Sequence, residues 1–141
     1  MNWMVAAVGA AAVAGIAGFA AGASVKPARE DRFFEMRTYT ASPGKIQALH
    51  ARFRDHTCKL FEKHGMTNVG YWQPVTGENA ENTLVYLLAF PSKEARDASW
   101  KAFQADEEWK KAKADSEKDG VPLAAKVVSV FMHPTDYSAI R

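Results

Sequence analysis

From about residue 33 onward, the chain switches between the two-residue hydrophobic period of strands and the longer period of helices. Its first segment, Phe33–Tyr39, alternates residue by residue and predicts a β-strand. We expect the more apolar set of its side chains to face the helices: Phe34, Met36 and Thr38. The opposite face then carries three polar side chains: Glu35, Arg37 and Tyr39.

A helix is predicted directly after this strand. Ser42 is a favourable N-cap residue and Pro43 a favourable first helical residue. Gly65 is a typical helix stop. Between these signals, apolar residues recur at helical spacing: Ile46, Leu49, Phe53, Leu60 and Phe61.

The rest of the chain predicts a hairpin, a helical region and a last strand. The hairpin pairs Asn68–Gln73 with Thr83–Phe90. Ser92 is expected to cap a second helix, and Asp106 to cap a short extra helix that contains Trp109. After a break at Gly120 and Pro122, the last strand is predicted over Lys126–Met132.

The predicted order is β-α-β-β-α-β, which is the ferredoxin-like arrangement of the α+β class. It consists of a four-stranded antiparallel sheet with both helices on one face. The side chains assigned to the other face are too apolar for open water: Tyr39, Tyr86, Leu88, Phe90 and Phe131. An apolar patch of this kind usually marks an interface, so the pattern predicts a homodimer through the bare sheet face.

Composition narrows the classes of function. The chain has 141 residues and a net charge of +2, with both signs of charge mixed along its length. The chain has no basic stripe, so the sequence gives no indication of a nucleic-acid partner. The single cysteine, Cys58, has no partner for an internal disulfide.

Residues 1–25 are apolar and rich in alanine and glycine, and two interpretations are open for them. The first is a signal peptide with a cleavage site after Ala23, which predicts a periplasmic or secreted protein. The second is a membrane anchor over residues 3–25, which are enough to cross a bilayer. In that case membrane contact is confined to the uncleaved N-terminal segment. A charged linker over residues 26–32 precedes a domain at residues 33–141.

Four sequence markers resemble those of the NIPSNAP family, and they occur in the family's order across residues 33–138. The first marker is Glu35-x-Arg37-x-Tyr39 followed by Pro43-Gly44-Lys45. The others are Gly70-Tyr71-Trp72, Asp106-x-Glu108-Trp109 and Pro134-Thr135-Asp136-Tyr137-Ser138.

This resemblance implies a dimeric α/β barrel in which the sheets of two copies face each other. Barrel relatives include cofactor-independent monooxygenases, haem-containing chlorite dismutases and peroxidases, whereas NIPSNAP members have no well-established reaction. Relatives often carry a histidine and a tryptophan two residues apart on the third strand. This chain has Tyr86 and Leu88 there, so no role that rests on that histidine is carried over.

The candidate pocket is built around Arg37, whose guanidinium is suited to bind an anionic or carbonyl oxygen. We expect its walls to come from aromatic side chains and one histidine: Tyr39, Tyr71, Trp72, Tyr86 and His56. The alternative is that Glu35 and Arg37 form a structural ion pair among packed aromatic residues, since buried charges must be paired with or without a ligand.

No metal or cofactor is predicted. His50, His56 and His64 lack the three- or four-residue spacing that places two imidazoles on one metal ion. His56 and Cys58 point to different sides of a helix, which argues against a nucleophile and its base.

Three functions fit the sequence. The first is a non-catalytic module that binds a small-molecule ligand or a partner. The second is a cofactor-independent monooxygenase or isomerase acting on a small aromatic or polyketide-like substrate. The third, which alone requires a cofactor, is a haem protein that uses His133 as an axial ligand.

Overall fold

The described part of the computed structural model is residues 31–141. The predicted signal peptide or anchor therefore lies outside the described residues. Within residues 31–141, no helix is long and apolar enough to cross a membrane.

A four-stranded antiparallel sheet forms one layer of the molecule. Its strands are β1 (Phe33–Ala41), β2 (Thr67–Trp72), β3 (Thr83–Phe90) and β4 (Ala124–Met132). They lie in the order β2-β3-β1-β4, so that the first strand occupies the centre beside the last. This is the predicted ferredoxin-like topology, and the limits predicted for β3 agree with the structure.

The helices pack together on one face of the sheet. Helix α1 (Ile46–Arg52) continues through a π-helical turn (Phe53–Thr57) into α2 (Cys58–Lys63). Helix α3 (Lys93–Ala105) is followed directly by α4 (Glu107–Ser116). A single 3₁₀ turn, Ala80–Asn82, precedes β3.

The predicted caps of α3 and α4 are confirmed. The Ser92 hydroxyl accepts a hydrogen bond from the backbone N–H of Ala95 at 3.1 Å. The Asp106 carboxylate accepts from the backbone N–H groups of Glu108 and Trp109, at 2.7 and 3.3 Å. These contacts satisfy N–H groups that have no partner within the helix.

The prediction that Ser42 caps the first helix is wrong. Residues 42–45 form a tight turn in which Gly44 has a φ of +73°, and the helix begins only at Ile46. The Ser42 hydroxyl instead donates to the carbonyl oxygen of Pro122 at 2.6 Å. Ser42 therefore fastens the end of β1 to the loop that leads into β4.

The faces predicted for β1 are also reversed. Glu35 lies opposite Leu88 and Arg37 lies opposite Tyr86 across the β1–β3 pair, so these four side chains share a face. That face is covered by the helices, because Glu35 bonds to Trp100 of α3. Alternation shows which side chains of a strand share a face, but not which of the two faces is buried. Here the buried face carries charged side chains that are paired within the core.

The core therefore contains most of the large side chains that the alternation predicts for the bare face. Tyr86, Leu88 and Phe90 are fully buried beneath the helices. They pack with Leu49, Phe53, Leu60 and Phe61 of the first helical segment, whose predicted apolar stripe is confirmed.

The face without helices is apolar as well, with a different set of residues. Strand pairing places Phe34, Met36 and Thr38 of β1 here. The same pairing adds residues of the other three strands: Trp72, Val85, Leu87, Val128, Val130 and Met132. We call these residues the open face; its most exposed large side chains are Trp72, Val128 and Val130.

The C-terminal segment covers one end of the open face. Residues Pro134 to Ile140 lie near Phe34, Leu87 and Met132. Arg141 anchors this segment through two hydrogen bonds to the carboxylate of Asp31, at 2.8 and 2.9 Å.

Candidate functional site

A cavity of about 460 Å³ lies between the sheet and the helices. Its walls come from β1, β4, the first helical segment, α3 and α4. It reaches the surface beside β4, where Val127 lines it and remains partly exposed. The residues that determine its chemistry are Arg37, Tyr39, Arg52, Trp100, Trp109, Lys113 and Glu117.

Glu35 organises the β1 side of the cavity from beneath. Its side chain is fully buried and accepts hydrogen bonds from Arg37 Nη1, Arg96 Nε and Trp100 Nε1, each at 2.8 Å. Arg96 adds a second bond through Nη2 at 2.9 Å. Burial raises the pKa of the carboxyl, but the bonds from Arg96, Arg37 and Trp100 outweigh it, so the pKa lies below its ordinary value. Glu35 is therefore ionised and holds Arg37, Arg96 and Trp100 in place.

Arg37 is held rigidly at the cavity wall. Its guanidinium carbon lies 4.3 Å from the centre of the Trp100 ring, within cation–π range. Nη2 donates to the Tyr39 hydroxyl at 3.4 Å, while Nε is buried and has no protein partner. Burial lowers the pKa of Arg37, but the neighbouring Tyr86, Tyr39 and Glu35 raise it above its ordinary value, so the group stays charged.

The Tyr39 hydroxyl is a hydrogen-bond acceptor for two protein groups. Its oxygen accepts from Tyr86 at 3.2 Å and from Arg37 at 3.4 Å. Burial raises the pKa of Tyr86 well above its ordinary value, so Tyr86 remains a neutral donor. With both protein contacts made to its oxygen, the Tyr39 O–H is left to donate to a molecule in the cavity.

A second cationic group lies on the helical side. The Arg52 side chain is only 5% exposed, and its Nη1 donates to Glu117 Oε1 at 2.8 Å and to Ser116 at 3.2 Å. Its guanidinium carbon lies 5.2 Å from the centre of a Trp109 ring. As in Arg37, the Nε atom is buried and has no partner.

Glu117 holds Arg52 in place and remains ionised. Its Oε1 also accepts the backbone N–H of Leu123 at 3.1 Å. Burial raises the pKa of this carboxyl, but the bonds from Arg52 and Leu123 bring it below its ordinary value. Glu117 is consequently a poor proton acceptor near neutral pH.

The π-helical turn positions side chains at this wall. The backbone N–H of Cys58 reaches back five residues to Phe53, and the Thr57 hydroxyl donates to the carbonyl of Arg52 at 3.2 Å. This wider turn follows Arg52 directly and places Phe53 and Thr57 at the cavity. Single π-helical turns of this kind are frequent at functional sites.

A row of three aromatic rings joins the two arginines. Phe103 lies between two indoles, with ring centres 5.6 Å from Trp100 and 4.5 Å from Trp109. Arg37 stacks on the first indole and Arg52 lies over the second. The cavity therefore has an apolar aromatic wall with a cation at each end.

The structure brings together some of the residues predicted for the pocket. Arg37 and Tyr39 line the cavity. Tyr86 lies behind Tyr39, and Tyr71 stacks on Tyr86 with ring centres 5.3 Å apart. Both support the wall without lining the cavity.

The other two predicted residues lie elsewhere. Trp72 is on the open face, 54% exposed, with its ring over Gly70. Tyr71, its neighbour in β2, points to the opposite face. His56 lines a shallow groove between the first helix and α4, next to Asp55 and Asp115. No group of three or more potential metal ligands occurs within residues 31–141.

Arg52 was missed by the sequence analysis, although the sequence contains a signal for it. It follows Leu49 by three residues and directly precedes Phe53, so it lies on the apolar stripe of the helix. A cation on such a stripe is rarely buried without a partner. Its partner, Glu117, is distant in sequence, and only the fold brings the two together.

Comparison with known protein families shows which family the chain belongs to. The NIPSNAP family model matches residues 34–139. The chain belongs to the NIPSNAP family. The match covers all the helices and the whole sheet apart from Phe33. No curated protein matches the chain in sequence.

Solved NIPSNAP structures share this fold. A NIPSNAP family protein of unknown function from Agrobacterium tumefaciens strain C58 has a TM-score of 0.69 and 24% identity, covering 81% of this chain and 97% of that one. An uncharacterised NIPSNAP domain protein from Burkholderia xenovorans has a TM-score of 0.64 and 22% identity, over 75% of this chain and 97% of that one.

A more distant structure is similar in fold alone. It is a putative antibiotic biosynthesis monooxygenase from Nitrosomonas europaea, with a TM-score of 0.55 and 11% identity. The alignment covers 79% of this chain and 97% of that one.

Proposed function

We propose that this NIPSNAP protein is a non-catalytic module that binds a small molecule in the cavity between its sheet and its helices. The volume of about 460 Å³ falls in the range of known ligand pockets. Such pockets combine apolar walls with a few converging polar groups, as this cavity does.

The observation that carries the proposal is the pair of incompletely used arginines at the cavity wall. Each guanidinium has five N–H donors. Arg37 donates to two protein acceptors, Glu35 and Tyr39, and Arg52 donates to Ser116 and Glu117. The Nε atoms of both are buried without a partner. These two atoms are closed off from solvent, so an occupant with acceptor atoms would bind the remaining N–H donors of the two guanidiniums, which line the cavity.

Binding is favoured over catalysis by the groups that line the cavity. Its carboxylate, Glu117, is paired with Arg52 and has a lowered pKa. No histidine is present among the described residues that line it. The similarity to the Nitrosomonas europaea protein, at 11% identity, adds no reaction to this chain.

We further propose that the protein is a homodimer through the open face. Trp72, Val128 and Val130 expose large apolar side chains on one continuous sheet surface. Apolar patches of this type mark interaction sites. The dimer would leave the cavity accessible, because the cavity lies on the helical side of the sheet.

Native mass spectrometry of the purified full-length protein tests the binding proposal. We expect a co-purified small molecule, bound in the wild type and lost in Ala124→Phe, which places a ring in the cavity. The matched control is Ala125→Phe, since Ala125 is the exposed next residue of β4 and does not line the cavity. Equal retention by both variants would contradict binding at this site.

A further inference from the structure

The two ends of the cavity carry the same kind of chemistry, and this restricts the class of ligand. At the first end, Arg37 and the Tyr39 hydroxyl have hydrogen-bond donors left over. At the second end, Arg52 has donors left over and Lys113 lines the cavity. Glu117, the carboxylate at the second end, is paired with Arg52, so the charged groups left at either end are donors and favour a ligand that presents acceptors to both.

The charges at the first end do not cancel. Glu35 is shared between Arg37 and Arg96. Arg96 also contacts Asp97, but Asp97 is paired with Lys93 on the exposed surface of α3. One positive charge therefore remains in excess beside a buried wall of the cavity.

The second end of the cavity has the same excess of positive charge. Glu117 forms a salt bridge with Arg52 at 2.8 Å. Lys113, one turn earlier, makes no salt bridge within the described part of the chain, whereas its neighbour Lys110 is paired with Glu107. Lys113 is exposed, so it offers one further positive charge where the cavity meets the solvent.

The space between the ends favours a flat, apolar body. Trp100, Phe103 and Trp109 form a continuous row of rings, and Phe53 faces the cavity from the first helical segment. Aromatic surfaces of this kind stack on planar ligands.

We infer that the cavity binds an aromatic dicarboxylate, with one carboxylate at Arg37 and Tyr39 and the other at Arg52 and Lys113. This inference rests on the proposed function and adds the class of ligand. Carboxylates supply acceptors only, which matches the donors left at both ends.

Isothermal titration calorimetry of the full-length protein tests this with three dicarboxylates of increasing length: terephthalate, naphthalene-2,6-dicarboxylate and biphenyl-4,4′-dicarboxylate. Each is compared with its monocarboxylate and with its neutral diamide. We expect at least one dicarboxylate to bind about tenfold more tightly than its monocarboxylate, and its diamide to bind more weakly still.

Variants show whether both ends take part. Arg37→Lys and Arg52→Lys keep the charge but lose the planar fork, and each is expected to weaken binding of the dicarboxylate about tenfold. With the monocarboxylate, only the variant at the occupied end has this effect. Arg54→Lys is the control, because Arg54 is exposed in the π-helical turn and does not line the cavity.

The outcomes separate the two proposals. Equal affinity for dicarboxylate, monocarboxylate and diamide, abolished by Ala124→Phe, overturns the dicarboxylate inference and leaves the binding function intact. If no compound binds and native mass spectrometry finds no occupant, both are overturned. The comparison among compounds uses the unaltered protein, so it stands even if an arginine variant fails to fold.

Discussion

Arg37 stacks on the Trp100 indole at 4.3 Å while the same indole donates its N–H to Glu35, the carboxylate that binds Arg37. The three side chains form a closed set in which each fixes the other two. Arg37 and Glu35 come from β1 and Trp100 from α3, so this set also joins the sheet to a helix. Holding a long side chain in this way lowers the entropy lost when it binds an anion.

Replacing Trp100 with phenylalanine tests the importance of the indole N–H. Glu35 Oε2 would keep its bond from Arg96 but lose the one from Trp100. We expect the free energy of unfolding to fall by about 1–3 kcal/mol, the cost of a lost bond to a buried charged group. Urea unfolding measures this.

Trp72→Phe is the matched control, because Trp72 is 54% exposed on the open face. Both variants are compared in a Val130→Glu background, which is expected to be monomeric, because Trp72 would be buried in the proposed dimer. There the effect of Trp72→Phe should remain within about 0.5 kcal/mol. An equal loss of stability in the two variants would show that the bond to Glu35 contributes little.

The pH dependence of stability is the second prediction, tested by Glu35→Gln. The pKa of Glu35 in the folded protein lies below the ordinary 4.5, so its ionisation stabilises the fold above that pH. This stabilisation disappears as the pH falls through the folded pKa. The glutamine variant lacks the charge and should be less stable by about 3 kcal/mol at pH 7.

Urea unfolding at pH 7 and pH 3 provides the measurement. The difference between wild type and Glu35→Gln should be largest at pH 7 and should narrow at pH 3. Glu78→Gln, in an exposed loop, is the control and should follow the wild type at both values. A constant difference across this range would argue against an ionised Glu35 with a depressed pKa.

Local sequence signals predict much of this fold, but not which face of each strand is buried. Ser92 and Asp106 were identified as caps because their signals lie within four residues of the groups they bind. The predicted faces of β1 are reversed because the more polar set of its side chains is the buried one, with its charges paired beneath the helices. Only contacts distant in sequence, such as Trp100 with Glu35, resolve that ambiguity.

The candidate site likewise combines residues that local sequence patterns predict with residues that only the fold brings together. Arg37 and Tyr39 were identified because they share a face of one strand. Arg52 and Glu117 are 65 residues apart, and no local pattern connects them. His56 is predicted at the pocket, whereas the structure turns it toward α4.

The cap of α4 gives a third prediction, for Asp106→Ala. Asp106 accepts two backbone N–H bonds and also pairs with Lys63 and His64, each at 2.7 Å. We expect a loss of about 1–2 kcal/mol in unfolding free energy, the usual cost of removing a capping side chain. Trp109, which follows in the first turn of α4, should become more mobile and weaken ligand binding at the Arg52 end.

Asp115→Ala is the control for this change. Asp115 lies in the last turn of the same helix and is half exposed, pairing with Lys111. A carboxylate there opposes the helix dipole, so its removal should leave stability nearly unchanged. If the Asp115 variant lost as much stability as the Asp106 variant, the capping contacts would not be the cause.

The proposed dimer is tested by Val130→Glu. Val130 lies on the open face in the edge strand β4, opposite Met36, and is 43% exposed. A carboxylate buried at this position of a two-sheet interface would have no partner and would be expensive to desolvate. We expect the variant to be a folded monomer under conditions in which the wild type is a dimer, as measured by size-exclusion chromatography with light scattering.

Val75→Glu makes the same change at a loop residue that is 94% exposed, and should leave the dimer intact. A dimer that survives Val130→Glu but dissociates when the exposed helix surface is altered would place the interface on the helical side, where a partner would cover the mouth of the cavity.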